Sequence, residues 1–197
     1  MDAAWLVVVP AYLLGTVPTA LVVGRSLGHD PTREGSGNPG ASNVFRTMGR
    51  RAGATVLLGD VAKGAAAAGL GLTTGQRSVA VACGLAAVVG HVAPATRRFR
   101  GGKGVATAAG MTAVLLPLAA LALAVVWLVT TRVVGAASAG SVAIAAGLPV
   151  AAVVSGRPPG EVAAFALCGV LVVALHRGNL DRLRRGEERS LSHRASE

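Results

Sequence analysis

A chain of 197 residues with 52% hydrophobic and only 14% charged residues has too much apolar surface for one soluble domain. Its mean hydropathy of +0.59 and its long uncharged runs point to a multi-spanning membrane protein. The formal net charge of +10 would suggest nucleic acid in a soluble protein, but here its distribution speaks for membrane orientation and against a nucleic-acid partner.

In chain order, Ala3 to Val23 is a run of 21 uncharged residues, too long and too poor in basic residues at its start for a cleaved signal peptide. Ala52 to Thr74 is apolar but carries Asp60 and Lys63, and Ser78 to Thr96 carries His91. Val105 to Thr131 and Val133 to Gly156 supply 27 and 24 further uncharged residues, and Val162 to Leu175 is short for a full span. A helix of about 20 such residues crosses roughly 30 Å of hydrocarbon. Three segments hold 15 of the 19 basic residues: Arg25 to Gly53, Arg97 to Lys103, and the tail after His176. The positive-inside rule puts all three in the cytoplasm and the N-terminus outside. A cytoplasmic tail then requires an even number of crossings between Val105 and Leu175, where three apolar segments are visible. One of them must be split or re-entrant, and Pro117 and Pro149 are the candidate breaks. The expected fold is an all-α polytopic membrane protein of about seven transmembrane helices, some short or re-entrant. It forms a single domain over 1–197, with cytoplasmic segments 25–53, 90–107 and 176–188 and a flexible tail at 189–197. Cys83 and Cys168 sit in apolar runs, so neither suggests a disulfide or a metal.

The stretch GSGNPG, Gly35 to Gly40, fits the glycine spacing of a dinucleotide loop. No hydrophobic strand precedes it, so the dinucleotide reading fails on context. The physics of such loops still applies: Gly35, Gly37 and Gly40 let backbone N–H groups face one anion. The following ASNVFRTMGR looks like a helix start, with Asn43, Arg46 and Arg50 on one face, while Ser36 and Asn38 add polar groups inside the loop. A solvated basic loop that only fixes topology is the plainer alternative. The second cluster, GHVAPATRRFRGGKGVAT, surrounds Lys103 with Gly101, Gly102 and Gly104 ahead of an apolar helix, a second anion-binding arrangement. His91 reads there as a buried, hydrogen-bonded structural histidine. The chain has 17 Arg and two Lys, and both lysines stand in apolar or glycine-rich surroundings. Asp60 and Lys63, spaced i, i+3 on a membrane helix, read equally as a structural ion pair or as a substrate contact. In the third cluster, HRGNLDRLRRGEE, His176 and Asn179 share a helical face where an apolar run ends. Its arginines also suit lipid headgroups.

These three clusters, in this order on an apolar chain of this length, resemble the bacterial acyl-phosphate:glycerol-3-phosphate acyltransferase (PlsY) family. The run Asp60 to Gly64, Arg132 and Ser138 also look like that family's. The chain departs from the pattern at Pro39, Ser42, Ala93 and Gly135. The resemblance implies a compact membrane enzyme of seven helices that needs no metal or other cofactor. It would move an acyl group from acyl phosphate to the 1-hydroxyl of glycerol 3-phosphate, giving 1-acylglycerol 3-phosphate and phosphate, the first step of bacterial phospholipid synthesis. It implies catalytic roles for Ser36, Arg46, His176 and Asn179. Substrate-binding roles go to Gly37, Asn38, Gly40, Asn43, Lys63, Gly101, Gly102, Lys103, Gly104 and Ser138, and structural roles to Asp60 and Glu188. The implied partners are acyl phosphate, glycerol 3-phosphate, the lipid bilayer of the inner membrane and the enzyme that makes acyl phosphate. On this reading the second loop and Lys103 hold glycerol 3-phosphate, while Ser36, the first loop's amides and Arg46 hold acyl phosphate. His176 and Asn179 orient the attacking hydroxyl, and either His176 or a departing phosphate oxygen takes its proton. A small-anion transporter or channel, and an impaired family member acting as a scaffold, are the alternatives.

Overall fold

The computed structural model describes residues 2–190, and these form helices joined by turns and by two longer loops, 27–40 and 93–104, in two compact units, 2–115 and 116–190. The expected tail at 189–197 lies outside the described residues apart from Arg189 and Ser190.

The first unit begins with a span over Ala3–Ser26 that is not one helix. A 3-10 turn (Ala3–Val7) leads into α1 (Val8–Gly15), and α2 (Thr19–Ser26) follows after a break at Thr16, Val17 and Pro18. Pro18 has no N–H to give, so the ladder stops there and carbonyls of the preceding turn lose their helical partners. A short helix α3 (Ala41–Met48) ends at Gly49, whose φ of +88° a side chain would resist. Arg50 therefore opens the next helix, α4 (Arg50–Leu72), and does not share a face with Asn43 and Arg46 as the sequence pattern suggested. Helices α5 (Arg77–Val92) and α6 (Val105–Leu115) complete the unit. Its packing relies on small residues. A Cβ at Gly64 would strike the Thr107 carbonyl and one at Gly110 the Val61 carbonyl, so α4 and α6 touch backbone to backbone. Ala11, Ala67, Val79, Cys83 and Ala87 fill the contact among α1, α4 and α5, while Ala20, Val44, Ala52 and Val56 tie α2 and α3 to α4.

The second unit contains α7 (Pro117–Val134), α8 (Ala137–Val154), α9 (Pro159–Leu175) and the short α10 (Arg177–Arg184). Pro117 occupies the first turn of α7, where its missing N–H costs nothing, and the break falls just before it as expected. Pro149 does not break the chain: it stays inside α8, which runs on to Val154. A proline in mid-helix removes one hydrogen bond, and neighbouring packing can carry that loss. Helix α8 packs on α7 and α9, with Gly169 against the Ala145 carbonyl. Leu118, Leu121, Val125 and Val133 leave the outer face of α7 apolar and exposed, as a lipid-facing helix requires.

Among the described residues, five segments are long and apolar enough to cross a membrane: Ala3–Ser26, Arg50–Leu72, Arg77–Arg97, Pro117–Val134 and Ala137–Val154. Val105–Leu115 is apolar but spans only about 16 Å. Pro159–Leu175 reaches span length only when joined to Arg177–Arg184, from which it is bent by 58°. Together these make seven apolar segments, two of them short. Between Val105 and Leu175 there are four rather than three, because the run from Val105 to Thr131 divides at Leu116 into α6 and α7.

Candidate active site

The break in the first span creates the central feature of the first unit. Thr16, Val17, Pro18 and Thr19 line a pocket of about 280 Å³ together with Asp60, Lys63, His91 and Arg97. The first loop contributes Pro39 to this wall and the second contributes Gly102. The pocket wall is polar for its depth in the unit, with two hydroxyls, a carboxylate, an ammonium, an imidazole and a guanidinium among the lining groups.

Asp60 and Lys63 meet one turn apart on α4, with the ammonium 2.8 Å from Asp60 Oδ1, and both are buried. Lys63 Nζ also donates to the Val17 carbonyl at 3.1 Å and lies 2.7 Å from His91 Nδ1. Three N–H groups thus have three acceptors. Thr19 Oγ1 donates to Asp60 Oδ1 at 2.9 Å, and His91 Nδ1 stands 3.5 Å from that oxygen. The His91 side chain is 8% exposed and hydrogen-bonded, close to what the sequence suggested, and it is also part of the pocket wall. The Asp60–Lys63 pair is an ion pair with every donor engaged within the protein.

The first loop is organised from inside by Asn43, which is 1% exposed. Its Oδ1 accepts from the Ser36 N–H at 2.8 Å and from Ser36 Oγ at 3.0 Å. Its Nδ2 donates to the carbonyls of Pro31 and Glu34, both at 3.0 Å. Asp30 accepts from the N–H and the hydroxyl of Thr32 at 2.9 and 2.6 Å. The Thr32 hydroxyl, then its N–H, hold the Asp30 carboxyl below its ordinary value of 3.8. Gly35 and Gly37 adopt φ of +60° and +69°, and a Cβ at Gly35 would overlap Asn43 Oδ1. Ser36 itself is exposed, Arg46 is half-buried on α3, and Gly40 stands at that helix's N-terminus.

The second loop folds back on His91. The Gly102 N–H donates to the His91 carbonyl at 3.1 Å. A Cβ at Gly101 would overlap the carbonyls of His91 and Val92, and one at Gly102 would overlap the His91 ring at Nε2. Lys103 is half-buried in the turn that leads into α6. Tyr12 pins the start of this segment: its hydroxyl donates to the Ala93 carbonyl and accepts from the Ala95 N–H, both at 2.9 Å.

In the second unit, Glu188 gathers three side chains. Its Oε1 accepts from Ser138 Oγ at 3.0 Å and from Asn179 Nδ2 at 2.6 Å, and its Oε2 pairs with Arg182 Nε at 2.8 Å. His176 is the junction between α9 and α10, so it and Asn179 lie across a bend and not on one straight helix. Its Nδ1 is 2.7 Å from the Val172 carbonyl, which can only accept. Nδ1 therefore carries a proton and donates it to that carbonyl. Gly135, one of the departures from the resembled pattern, is the left-handed cap of α7 with φ +77°, its N–H donating to the Thr131 carbonyl at 2.8 Å.

Thr16, Val17, Thr19, Tyr12 and Arg97 are absent from the sequence-based site. The readable signal was Thr-Val-Pro-Thr inside an otherwise uncharged run, a proline flanked by hydroxyls at membrane depth.

The sequence pattern of the glycerol-3-phosphate acyltransferase family matches residues 5–186. The chain belongs to this family. Glycerol-3-phosphate acyltransferase of Syntrophomonas wolfei is 40% identical over 195 residues, 98% of this chain and 99% of the relative. That of Bacillus cytotoxicus is 43% identical over 187 residues, 93% and 92% of the two chains. Among solved structures, the integral membrane glycerol 3-phosphate acyltransferase PlsY in its glycerol 3-phosphate form superposes with a TM-score of 0.91. It is 33% identical, with 96% of each chain covered. The lysophosphatidic acid form of the same enzyme gives 0.89 over 96% and 95%. The chain is thus a multi-pass integral membrane acyltransferase of the glycerol-3-phosphate acyltransferase family.

Proposed function

We propose that the chain transfers an acyl group from acyl phosphate to the sn-1 hydroxyl of glycerol 3-phosphate, releasing phosphate. The observation that carries this reading is the near full-length likeness to PlsY solved with glycerol 3-phosphate. It is supported by two glycine loops suited to anions in the first unit. An acyl phosphate already has a good leaving group, so the protein must chiefly orient the reactants and stabilise charge.

Gly101, Gly102, Lys103 and Gly104 hold the phosphate of glycerol 3-phosphate in this scheme. Ser36 and Arg46 hold the acyl phosphate, whereas the N–H groups of Gly37, Asn38 and Gly40, expected to face the anion, donate to the Glu34 carbonyl, Ser36 Oγ and the Asn38 carbonyl and so shape the loop. Asn43 keeps Ser36 and the loop in place, and Asp60 and Lys63 shape the pocket floor. His176 and Asn179 orient the attacking hydroxyl, with Glu188 and Ser138 fixing Asn179. His176, an imidazole with an ordinary value near neutrality, takes the hydroxyl proton in this scheme, after which the hydroxyl oxygen attacks the acyl carbon and the bond from that carbon to the phosphate oxygen breaks. The chain would lie in the bacterial inner membrane with its glycine loops on the cytoplasmic side and its N-terminus outside. A contact with the enzyme that makes acyl phosphate would deliver the donor there.

The test is phosphate release from palmitoyl phosphate by purified protein in lipidic mesophase. Release should require glycerol 3-phosphate and yield 1-acylglycerol 3-phosphate. Release independent of glycerol 3-phosphate, or equal use of acyl-CoA, would sink the proposal.

A further inference from the structure

His91 is the one ionisable side chain in the pocket wall whose second ring nitrogen has no role so far. Lys63 Nζ lies 2.7 Å from its Nδ1, and an ammonium has only hydrogens to offer. Nδ1 is therefore the acceptor, and the proton of the neutral ring is on Nε2, an assignment made from the partners. A proton on Nδ1 would set two donors face to face. The opposite edge of the ring, at Nε2, lies against Gly102, where an added Cβ would overlap the ring as it stands. The His91 carbonyl holds the Gly102 N–H, so ring and loop are fastened to each other. Both line the same small pocket.

We propose that His91 Nε2–H is a neutral donor to a phosphate oxygen of glycerol 3-phosphate seated on the Gly101–Gly104 loop, with its direction set by Lys63. The inference rests on the function proposed above. It gives Lys63 a part in substrate binding without any contact: the lysine selects the tautomer that presents a hydrogen to the ligand. A neutral donor adds no positive charge beside Lys63, so the pocket gains affinity for a phosphomonoester without stacking cations.

Two substitutions separate this role from packing. In His91→Gln the amide nitrogen stands near the position of Nε2 and can still donate to phosphate, but the Lys63 acceptor is lost. In His91→Asn the amide oxygen stands near Nδ1 and keeps Lys63 satisfied, but no donor reaches the loop. Full-length variants are assayed for KM of glycerol 3-phosphate and for kcat. The Asn variant should raise that KM on the order of tenfold, the value of one charge-assisted hydrogen bond, with kcat much less changed. The Gln variant should stay within about threefold of wild type in KM. An Asn variant with wild-type KM, or Gln and Asn variants impaired alike, overturns the inference. If neither variant folds, nitrogen-15 spectra of histidine-labelled wild type decide. A ring protonated at Nε2 whose N–H resonance shifts on adding glycerol 3-phosphate supports the inference. A proton on Nδ1, or no shift at saturating ligand, overturns it. Wild type that releases no phosphate on adding glycerol 3-phosphate overturns the acyltransfer reading and this inference with it, whereas active wild type beside an unaffected Asn variant overturns this inference alone.

Discussion

The Lys63 ammonium is 3.1 Å from the carbonyl oxygen of Val17, a main-chain atom that the break in the first span leaves outside the helical ladder. The same ammonium neutralises Asp60 at 2.8 Å. Lys63→Met should therefore destabilise the protein strongly, by about 3–5 kcal/mol, because it strands a buried carboxylate. Asp60→Asn with Lys63→Met should cost clearly less than the two single changes added. Thermal unfolding in detergent reads both, and a Lys63→Met protein as stable as wild type would refute the pairing's importance.

Glu188→Gln should uncouple the second unit's polar cluster. An amide that keeps its oxygen toward Ser138 and Asn179 turns an NH₂ group toward Arg182, so donor meets donor. A loss of about 1.5–3 kcal/mol is expected, as for hydrogen bonds to charged groups. Ser138→Ala removes one neutral donor and should cost about 1 kcal/mol. Equal losses from the two changes, by denaturant titration, would contradict this account.

The two adjacent glycines of the second loop should respond differently to alanine. At Gly101 the added carbon meets main-chain carbonyls of His91 and Val92, which cannot yield without moving the helix end. At Gly102 it meets the His91 ring, which can turn aside. Gly101→Ala should thus lie at or beyond the upper end of the usual overpacking cost of about 1–3 kcal/mol, with activity lost. Gly102→Ala should remain folded and raise KM for glycerol 3-phosphate. Melting curves beside kinetics separate the two.

Asp30 gives the first loop an acid limit. Its carboxyl is held below the ordinary 3.8 by the Thr32 hydroxyl and N–H, so its contribution is fully present above the unfolded value. That contribution is lost as pH falls through the lower folded value, that is, from about pH 4 downward. Proteolytic susceptibility of the loop should rise over that range, and Thr32→Val should move the onset to higher pH. An onset unchanged in Thr32→Val would count against it.

Gly135→Ser should not improve the protein. With φ at +77° the serine would be forced into the left-handed region at a cost of about 1 kcal/mol, and nothing around the position would contact its new carbon. Gly135→Asn should cost less, since Asn tolerates that conformation. A Gly135→Ser protein with raised melting temperature would show that the cap is not as described.

Hydropathy and charge distribution made the membrane architecture legible, because lipid demands long apolar helices and basic residues gather at their ends. Of the two prolines suspected of dividing the apolar runs after Val105, only one supplies a break. Pro117 sits where a helix can begin, while Pro149 is held within α8 by its packing. The glycine loops were legible because special backbone geometry restricts residue choice at Gly35, Gly37 and Gly104. The break at Thr16 to Pro18 was not, because a carbonyl oxygen leaves no mark in a hydropathy plot. Likewise, nothing in the sequence said that Lys63 would reach Val17 and His91, which are distant in the chain and meet only through packing. The first loop's dependence on Asn43 became visible only when both ends of its amide had partners.

The break in the first span also bears on which positions are free to drift. At Val17 the acceptor is the main chain, so most side chains could stand there without changing what Lys63 meets. The demand falls one residue later, on the proline that interrupts the ladder, and 46 positions away, on the lysine that uses the interruption. Variation among related sequences should therefore be wide at position 17 and narrow at 18 and 63, a pattern in which a residue at the centre of the pocket looks dispensable while its neighbour, which carries no functional group, does not.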